Sequence, residues 1–446
     1  MSSDSGALRR RNDAREIFDA AVRAADPGKC ISRAVSLASN QINLLDKAYS
    51  LDSFRTVLVI GAGKATPAMA VAVESVLGDR ISAGMINTKY DHALPLRRIQ
   101  TTECGHPIPD ESGVRGTEQM LSLLQEADAQ TLVICLFSGG GSAIMPAPVA
   151  GVSLEEKQQT TQLLLECGAT IDEINTIRKH LSRVKGGLLA RIAGEATVVS
   201  LMISDVIGDR LETIASGPTF PDPTTFDDCR RLLERYELTD RLPPAVRSHM
   251  EAGMRGDIED TPGAGDPCFD RKANGVVGNG AIALAAARET AEKLGYQPLV
   301  LSSRIAGETR DVAAVHCAIA QEIVTSGQPL KPPACIISGG ETTVTIRGPG
   351  KGGRNQEFSL VAALELEGWP GITALSCGTD GTDGPTDAAG AIADSDSLRR
   401  GAELGLSASE FLEANDSYHF FAPLNDLVIS GPTGTNVMDL RLFLVS

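Results

Sequence analysis

One pattern constrains this chain more than any other: short apolar runs, each ending in a glycine turn that opens a helix-forming stretch. Thr56-Val-Leu-Val-Ile60 runs into Gly61-Ala-Gly-Lys-Ala65, and residues 66–77 then suit a helix, with Pro67 tolerated in its first turn. The order recurs. A strand over 82–87 is followed by a helix over 116–126, then by a β-rich run over 131–137 that leads into Ser138-Gly-Gly-Gly-Ser142. A strand over 196–203 leads into Ser204-Asp-Val-Ile-Gly-Asp209, and a second series begins at Val276-Val-Gly-Asn-Gly280 before an alanine-rich helix. That series closes on a strand over 333–338 and Gly339-Gly340-Glu341. Such alternation predicts helices packed on a parallel sheet built from βαβ units. Pro, Gly and acids accumulate over 242–267, so the chain is expected to divide into two α/β lobes, 1–255 and 256–446. Residues 13–50 are expected as two helices.

Composition removes several function classes. The 446 residues carry a net charge of -16 with few aromatics, which leaves no electrostatic footprint for nucleic acid. There is no apolar run of about 18 residues for a membrane span. The N-terminus opens polar and lacks the apolar stretch of a secretory signal, so a cytoplasmic address is expected. Nine cysteines are scattered without a CxxC pair, which argues against a zinc ribbon or a dithiol redox site. An anionic substrate would need local cations to overcome the acidic background, and cations beside glycine turns are therefore the candidates.

The turn at Gly61, Gly63 and Lys64 offers backbone N–H groups at a helix start plus a full positive charge. It is neither a Walker A loop nor a clean dinucleotide fingerprint, because Thr66 stands at the third-glycine position. Ser138, Gly139, Gly140, Gly141 and Ser142 suggest an anion cradle: successive glycines are costly to order and let a backbone approach phosphates, while the flanking hydroxyls can donate. In the second series, Asn279 and the Gly339, Gly340, Glu341 turn are candidates of the same kind. Asp205 and Asp209 follow a buried strand, where Mg²⁺ takes one or two carboxylates plus phosphate oxygens; an ordinary Asp-Gly turn reads as well. Gly348-Pro-Gly-Lys-Gly-Gly-Arg-Asn-Gln-Glu357 carries Lys351 and Arg354, whose guanidinium could fork onto a carboxylate or phosphate. In Cys377-Gly-Thr-Asp-Gly-Thr-Asp-Gly-Pro-Thr-Asp387, the acids Asp380, Asp383 and Asp387 either hold a metal or order turns. His106, in Gly105-His-Pro-Ile-Pro109, reads as structural or substrate-lining, and without a GxSxG elbow hydrolase chemistry has no support.

Taken in order along nearly the whole chain, these motifs, with Ser216-Gly-Pro218, resemble the class II glycerate 2-kinases, which carry a C-terminal MOFRL domain. The resemblance implies a Rossmann-like N-terminal domain, a smaller MOFRL-like α/β domain with its core at about 333–446, and an active site in the cleft between lobes. It implies ATP- and Mg²⁺-dependent phosphorylation of D-glycerate to 2-phosphoglycerate. Lys64, Arg354 and Asp205 match the positions expected to be critical. Mg²⁺ would be held by Asp205 and Asp380, and Asp205 or Asp209 could instead take the substrate proton. The expected partners are ATP and a small hydroxy acid, without nucleic acid or membrane, and a homo-oligomer is left open. The rivals are an NAD(P)H-dependent hydroxypyruvate reductase and a non-catalytic sensor of sugar acids or nucleotides. Against the reductase stand Thr66 and Asn87, the latter where an acidic residue would end the second strand.

Overall fold

The computed structural model describes residues 2–446. Its first sheet contains β1 (Thr56–Ala62), β2 (Ala83–Lys89), β3 (Ile99–Cys104), β4 (Thr131–Phe137), β5 (Thr197–Ile203) and β6 (Lys272–Gly278). They lie in the order β3-β2-β1-β4-β5-β6. Strands β1 to β5 pair in parallel, and every residue of β4 and β5 is buried. This is the Rossmann order, and it reverses direction between β1 and β4, where open α/β sheets hold their ligands. Both glycine turns, after β1 and after β4, therefore emerge at one place for topological reasons.

Between β4 and β6 the chain builds a helical layer from Leu154–Glu166, Ile171–His180, Phe226–Arg235 and Pro244–Met254. The first three begin with capping boxes, Ser153 with Glu156, Thr170 with Glu173 and Thr225 with Asp228. Each box satisfies two otherwise orphaned N–H groups and contributes about 1 kcal/mol. Leu164, Ile177, Phe226, Leu233 and Val246 form the core of this layer.

The second sheet is mixed. It contains β7 (Gln297–Ile305), β8 (Ala334–Gly340), β9 (Ile372–Gly378), β10 (Gly390–Asp394), β11 (Leu427–Val428) and β12 (Asp439–Val445), ordered β7-β8-β12-β9-β10-β11. Only β7 and β8 pair in parallel; the C-terminal strand β12 inserts antiparallel between β8 and β9.

Two compact units result: 27–204 with 209–277, and 1–26 with 205–208 and 278–446. The expected division at 255/256 falls inside the first of these, and the N-terminal helix belongs to the second. The reason is visible along that helix, Ser2–Ala24. Ile17, Phe18 and Ala21 are fully buried, Arg11 pairs with Asp394 at 2.6 Å and Asp426 at 2.5 Å, and Asp13 accepts from the Tyr296 hydroxyl at 2.7 Å. Of the two helices expected over 13–50, the second is short, Pro27–Ala34, and is followed by a three-stranded antiparallel meander. Ser39 and Leu45 adopt positive φ there, and Ile42 and Leu44 alternate inward, which is strand and turn chemistry rather than a helical period. Among the described residues no helix is long and apolar enough to cross a membrane. All nine cysteines are free, seven of them buried, Cys135 in β4 included.

Candidate functional site

In the Rossmann-like unit the turns after β1 and β4 are stitched together. Lys64 N–H donates to the Gly139 carbonyl at 3.0 Å, Ser138 N–H to the Ala62 carbonyl at 3.2 Å, and Ala65 N–H to the Ser138 hydroxyl at 3.0 Å. The Thr66 hydroxyl lies 3.2 Å from the same Ser138 oxygen. This contact explains two features read as ligand-directed. Gly63, at φ +144°, faces Ser138 so closely that any Cβ would collide with the hydroxyl. Ser138 is buried and fully engaged, so its hydroxyl is a loop clamp and not a phosphate donor. The Ser142 hydroxyl is likewise engaged, with Ser216 at 2.6 Å. Gly61 lies within the β1 ladder, and Gly63 N–H donates to Asn87.

What remains open is backbone. The N–H groups of Gly139, Gly140 and Ser142 have no acceptor among the described residues. Gly140 takes φ +82° and sits against His106, whose ring a Cβ would meet at 2.9 Å. Gly141 backs onto the Ala62 carbonyl, where a Cβ would come to 2.9 Å. Three N–H donors without a partner among the described residues lie within four positions, in a turn where Gly140 needs a positive φ, which makes a nest for an anion.

The surroundings are cationic. Burial pushes the His106 imidazole down to about 4, and the charges of Lys64, Lys89 and His92 push the same way. His92 is also lowered, by burial first and then by Lys89. The ends of β1, β2 and β3 thus bring Lys64, Lys89, His92 and His106 into one electropositive cluster within a strongly acidic chain. Lys89 and His92 escape a motif-based reading because their spacing is set by strand register. Their only sequence signal is that each follows an apolar strand at its carboxyl end.

The other unit contains a denser polar cluster. Arg354 opens the helix Arg354–Glu365 and holds both oxygens of Asp439, at 2.8 and 3.0 Å, while its third nitrogen reaches Glu341 at 2.7 Å. Burial acts against the guanidinium charge, but Asp439 and Glu341 more than offset it. Asp439 also accepts from Asn355 and Arg441, each at 2.9 Å. Burial raises the Glu341 carboxyl; Arg354 opposes the shift, and Asp439, Asp205 and Asp380 reinforce it. Asp205 accepts from the Asn436 amide at 3.4 Å. Asp439 and Arg441 were missed by the motif reading. Their signal is two opposite charges in Asp439-Leu-Arg-Leu-Phe-Leu-Val445, an otherwise apolar run whose every residue is buried.

Several expected ligands have structural roles here. Asp383 is buried and accepts from the N–H groups of Asn355 at 3.1 Å and Gln356 at 2.9 Å, so it caps the Arg354 helix. Burial pushes its carboxyl up to about 6 despite those donors. Asp380 accepts from Thr382 N–H within its own turn at 3.0 Å. Asn279 caps the helix Gly280–Lys293 through Ile282 N–H at 3.1 Å. Gly339 and Gly340 lie inside the β8 ladder opposite Leu440 and Asp439, and Glu341 N–H donates to Ile305, so this turn offers no open cradle. Asp387 bonds the Tyr418 hydroxyl at 2.8 Å. Among the described residues no three His, Cys, Asp or Glu side chains form a metal-binding group.

Residues 13–251 match a domain of unknown function designated DUF4147, and residues 334–439 match the MOFRL family. A glycerate 2-kinase of Pyrococcus horikoshii is 41% identical over 427 residues, 96% of this chain and 95% of that protein. The crystal structure of a glycerate kinase from Thermotoga maritima superposes with a TM-score of 0.88 at 36% identity, covering 98% of this chain and 100% of that one. This chain belongs to the glycerate kinase family. One relative from Agrobacterium vitis, 41% identical over 433 residues (97% of this chain, 93% of that protein), instead bears the name putative hydroxypyruvate reductase. In this member of the glycerate kinase family, Asn87, near the carboxyl end of β2, is unsuited to a dinucleotide. Asn87 is fully buried, and its amide donates to the carbonyls of Gly113 at 3.1 Å and Ile144 at 3.0 Å, where a reductase would present a carboxylate to ribose.

Proposed function

We propose that this protein transfers the γ-phosphoryl group of ATP to the 2-hydroxyl of D-glycerate, yielding 2-phosphoglycerate and ADP. The observation that carries the reading is the nest of free N–H groups at Gly139, Gly140 and Ser142, set among Lys64 and His106 at the switch point of the sheet. Phosphoryl transfer asks a protein chiefly for positioning and charge neutralisation. The nest holds phosphate oxygens through N–H donors, and Lys64 neutralises charge on the transferring group. His106 is neutral at pH 7 and gains basicity as an anion arrives. Asp209, the other carboxylate of the turn that carries Asp205, takes the proton of the attacking hydroxyl as the new O–P bond forms and the bond to the ADP oxygen breaks.

Asp205, Glu341, Asp380 and Asp439 outnumber Arg354 and Arg441, and Glu341 is raised by burial first and then by repulsion from the other three acids. Such hard oxygen donors fit Mg²⁺, and Asp205 and Asp380 are the side chains that would hold it. Bound there, the ion would neutralise phosphate charge. Arg354, clamped on Asp439, positions the acidic cluster.

The test is ATP consumption by the purified protein with Mg²⁺ and D-glycerate, with L-glycerate as control and the product identified by phosphorus NMR. The reading expects turnover that depends on D-glycerate and a phosphoryl group on C2. NADH oxidation with hydroxypyruvate, without glycerate-dependent use of ATP, would favour the reductase.

A further inference from the structure

The helical layer of the Rossmann-like unit encloses a cavity of about 1020 Å³ lined by Lys157, Arg178, Ser142 and Pro107, with Leu163 and Ile174 among its apolar walls. Two of its cations, Lys157 and Arg178, and their neighbour Lys185, which does not line it, are unusual. Lys157 is 6% exposed and donates to the Leu181 carbonyl at 3.0 Å; Lys185 is fully buried and donates to the Ser142 carbonyl at 2.8 Å. Burial depresses both ammonium groups, Lys157 to about 7, and Arg178 depresses them further. Burial also lowers Arg178. Among the described residues no carboxylate counters any of the three: Glu166, which lines the cavity, faces Arg241 at 3.8 Å. The adjacent Lys179 shows the ordinary solution, a buried pair with Asp222 at 3.1 Å. Burying cations without counter-charge is costly, and a stable fold would replace them with apolar side chains unless an anion arrives.

We propose that Lys157 and Arg178, with the buried charge of Lys185 behind them, bind the carboxylate of the acceptor acid, an inference that rests on the kinase reading above. Ser142 connects the two sites. Its N–H belongs to the phosphate nest, its carbonyl holds Lys185, and its side chain lines the cavity. Arg178 lines the same cavity as Ser142, so a carboxylate held there shares that cavity with the nest's Ser142. Arg354, the other guanidinium considered for this role, already has Asp439 and Glu341. The cavity far exceeds a three-carbon acid in volume, so charge rather than shape would select the ligand. The segment beneath Ser142 is strained in support of this geometry: Ala215 and Ser216 both take positive φ, and the Ser216 hydroxyl joins Ser142 at 2.6 Å and Asn175 at 3.2 Å.

The experiment is calorimetric titration of the full chain with D-glycerate and with its uncharged carboxamide, for the wild type, Arg178→Gln, Arg178→Lys and Lys157→Met. Wild type should prefer glycerate by about 30-fold, the worth of a charge-assisted hydrogen bond. Arg178→Gln should erase that preference, Arg178→Lys should restore part of it, and ATP affinity should stay within about twofold. Lys157→Met should weaken glycerate while raising the melting temperature of the unliganded protein, a combination that a merely structural lysine would not give. Glycerate turnover with an unchanged KM in Arg178→Gln would overturn the carboxylate site and leave the kinase reading standing. Binding of lactate or malonate that depends on Arg178, without any glycerate turnover, would uphold the site and overturn the acceptor.

Discussion

Two turns of this molecule look alike in sequence and differ in what they can bind. Leu136-Phe-Ser-Gly-Gly-Gly-Ser142 and Ile336-Ile-Ser-Gly-Gly-Glu-Thr342 both close a fully buried strand. After β4 the chain turns away from the sheet, and three N–H groups are left facing outward. After β8 the glycines remain paired with β12, so the backbone is already satisfied. Both turns use a positive φ, at Gly140 and at Gly340; in the first the glycines face His106 and Ala62, in the second Leu284, Ile305 and a sheet partner. A glycine run thus says that something comes close. Whether the visitor is a phosphate or another piece of the chain depends on the neighbouring strand, which is remote in sequence.

Substitutions can break this comparison or sharpen it. The largest effect is expected at Lys64, whose charge stands at the open turn: Lys64→Ala should lower kcat by about 10³-fold with an unchanged melting curve. Near-normal turnover would remove Lys64 from the chemistry. Next comes Gly140→Ala, where positive φ and the His106 ring oppose a side chain; ATP affinity and kcat/KM should fall by about 10- to 100-fold. Gly339→Ala is the counterpart. Its new methyl meets Leu284 at 2.8 Å, so stability should drop by about 1–3 kcal/mol in urea titration while KM for ATP is retained. A Gly339→Ala protein of normal stability that no longer binds ATP would reverse the assignment.

The smallest effect concerns pH. The His106 imidazole titrates near 4 in the folded chain, below its ordinary value in the unfolded one. The unfolded state therefore binds more protons between about pH 6.5 and 4, and stability falls as pH drops through that window. His106→Gln should flatten this part of the melting-temperature profile. An unaltered profile would contradict the burial and charge argument for the cluster.

The alternation of strand, glycine turn and helix made the Rossmann-like sheet legible, because burial on both faces forces continuous apolar runs. The position of β12 was not legible. Its pairing with β8 and β9 joins segments that are remote in sequence, Gly340 with Asp439 and Gly378 with Asp439 among them, and no local signal records that. The same holds within the site. Lys64 and the glycines at 139 and 140 stand out because local geometry demands them. Lys89 reaches the cluster by register, and Asp383 turned out to cap a helix whose first residue lies well before it in sequence. Lys157, Arg178 and Lys185 lie in a stretch that is helical and polar in sequence, and only the folded chain shows that burial lowers all three without a nearby carboxylate among the described residues.

The contrast between the turns can be observed directly by titrating ¹⁵N-glycine-labelled protein with a non-hydrolysable ATP analogue and following the assigned amides. The account predicts that Gly139 and Gly140 shift strongly while Gly339 and Gly340 stay in place. Strong shifts at Gly339 and Gly340 with silence at Gly139 and Gly140 would contradict it.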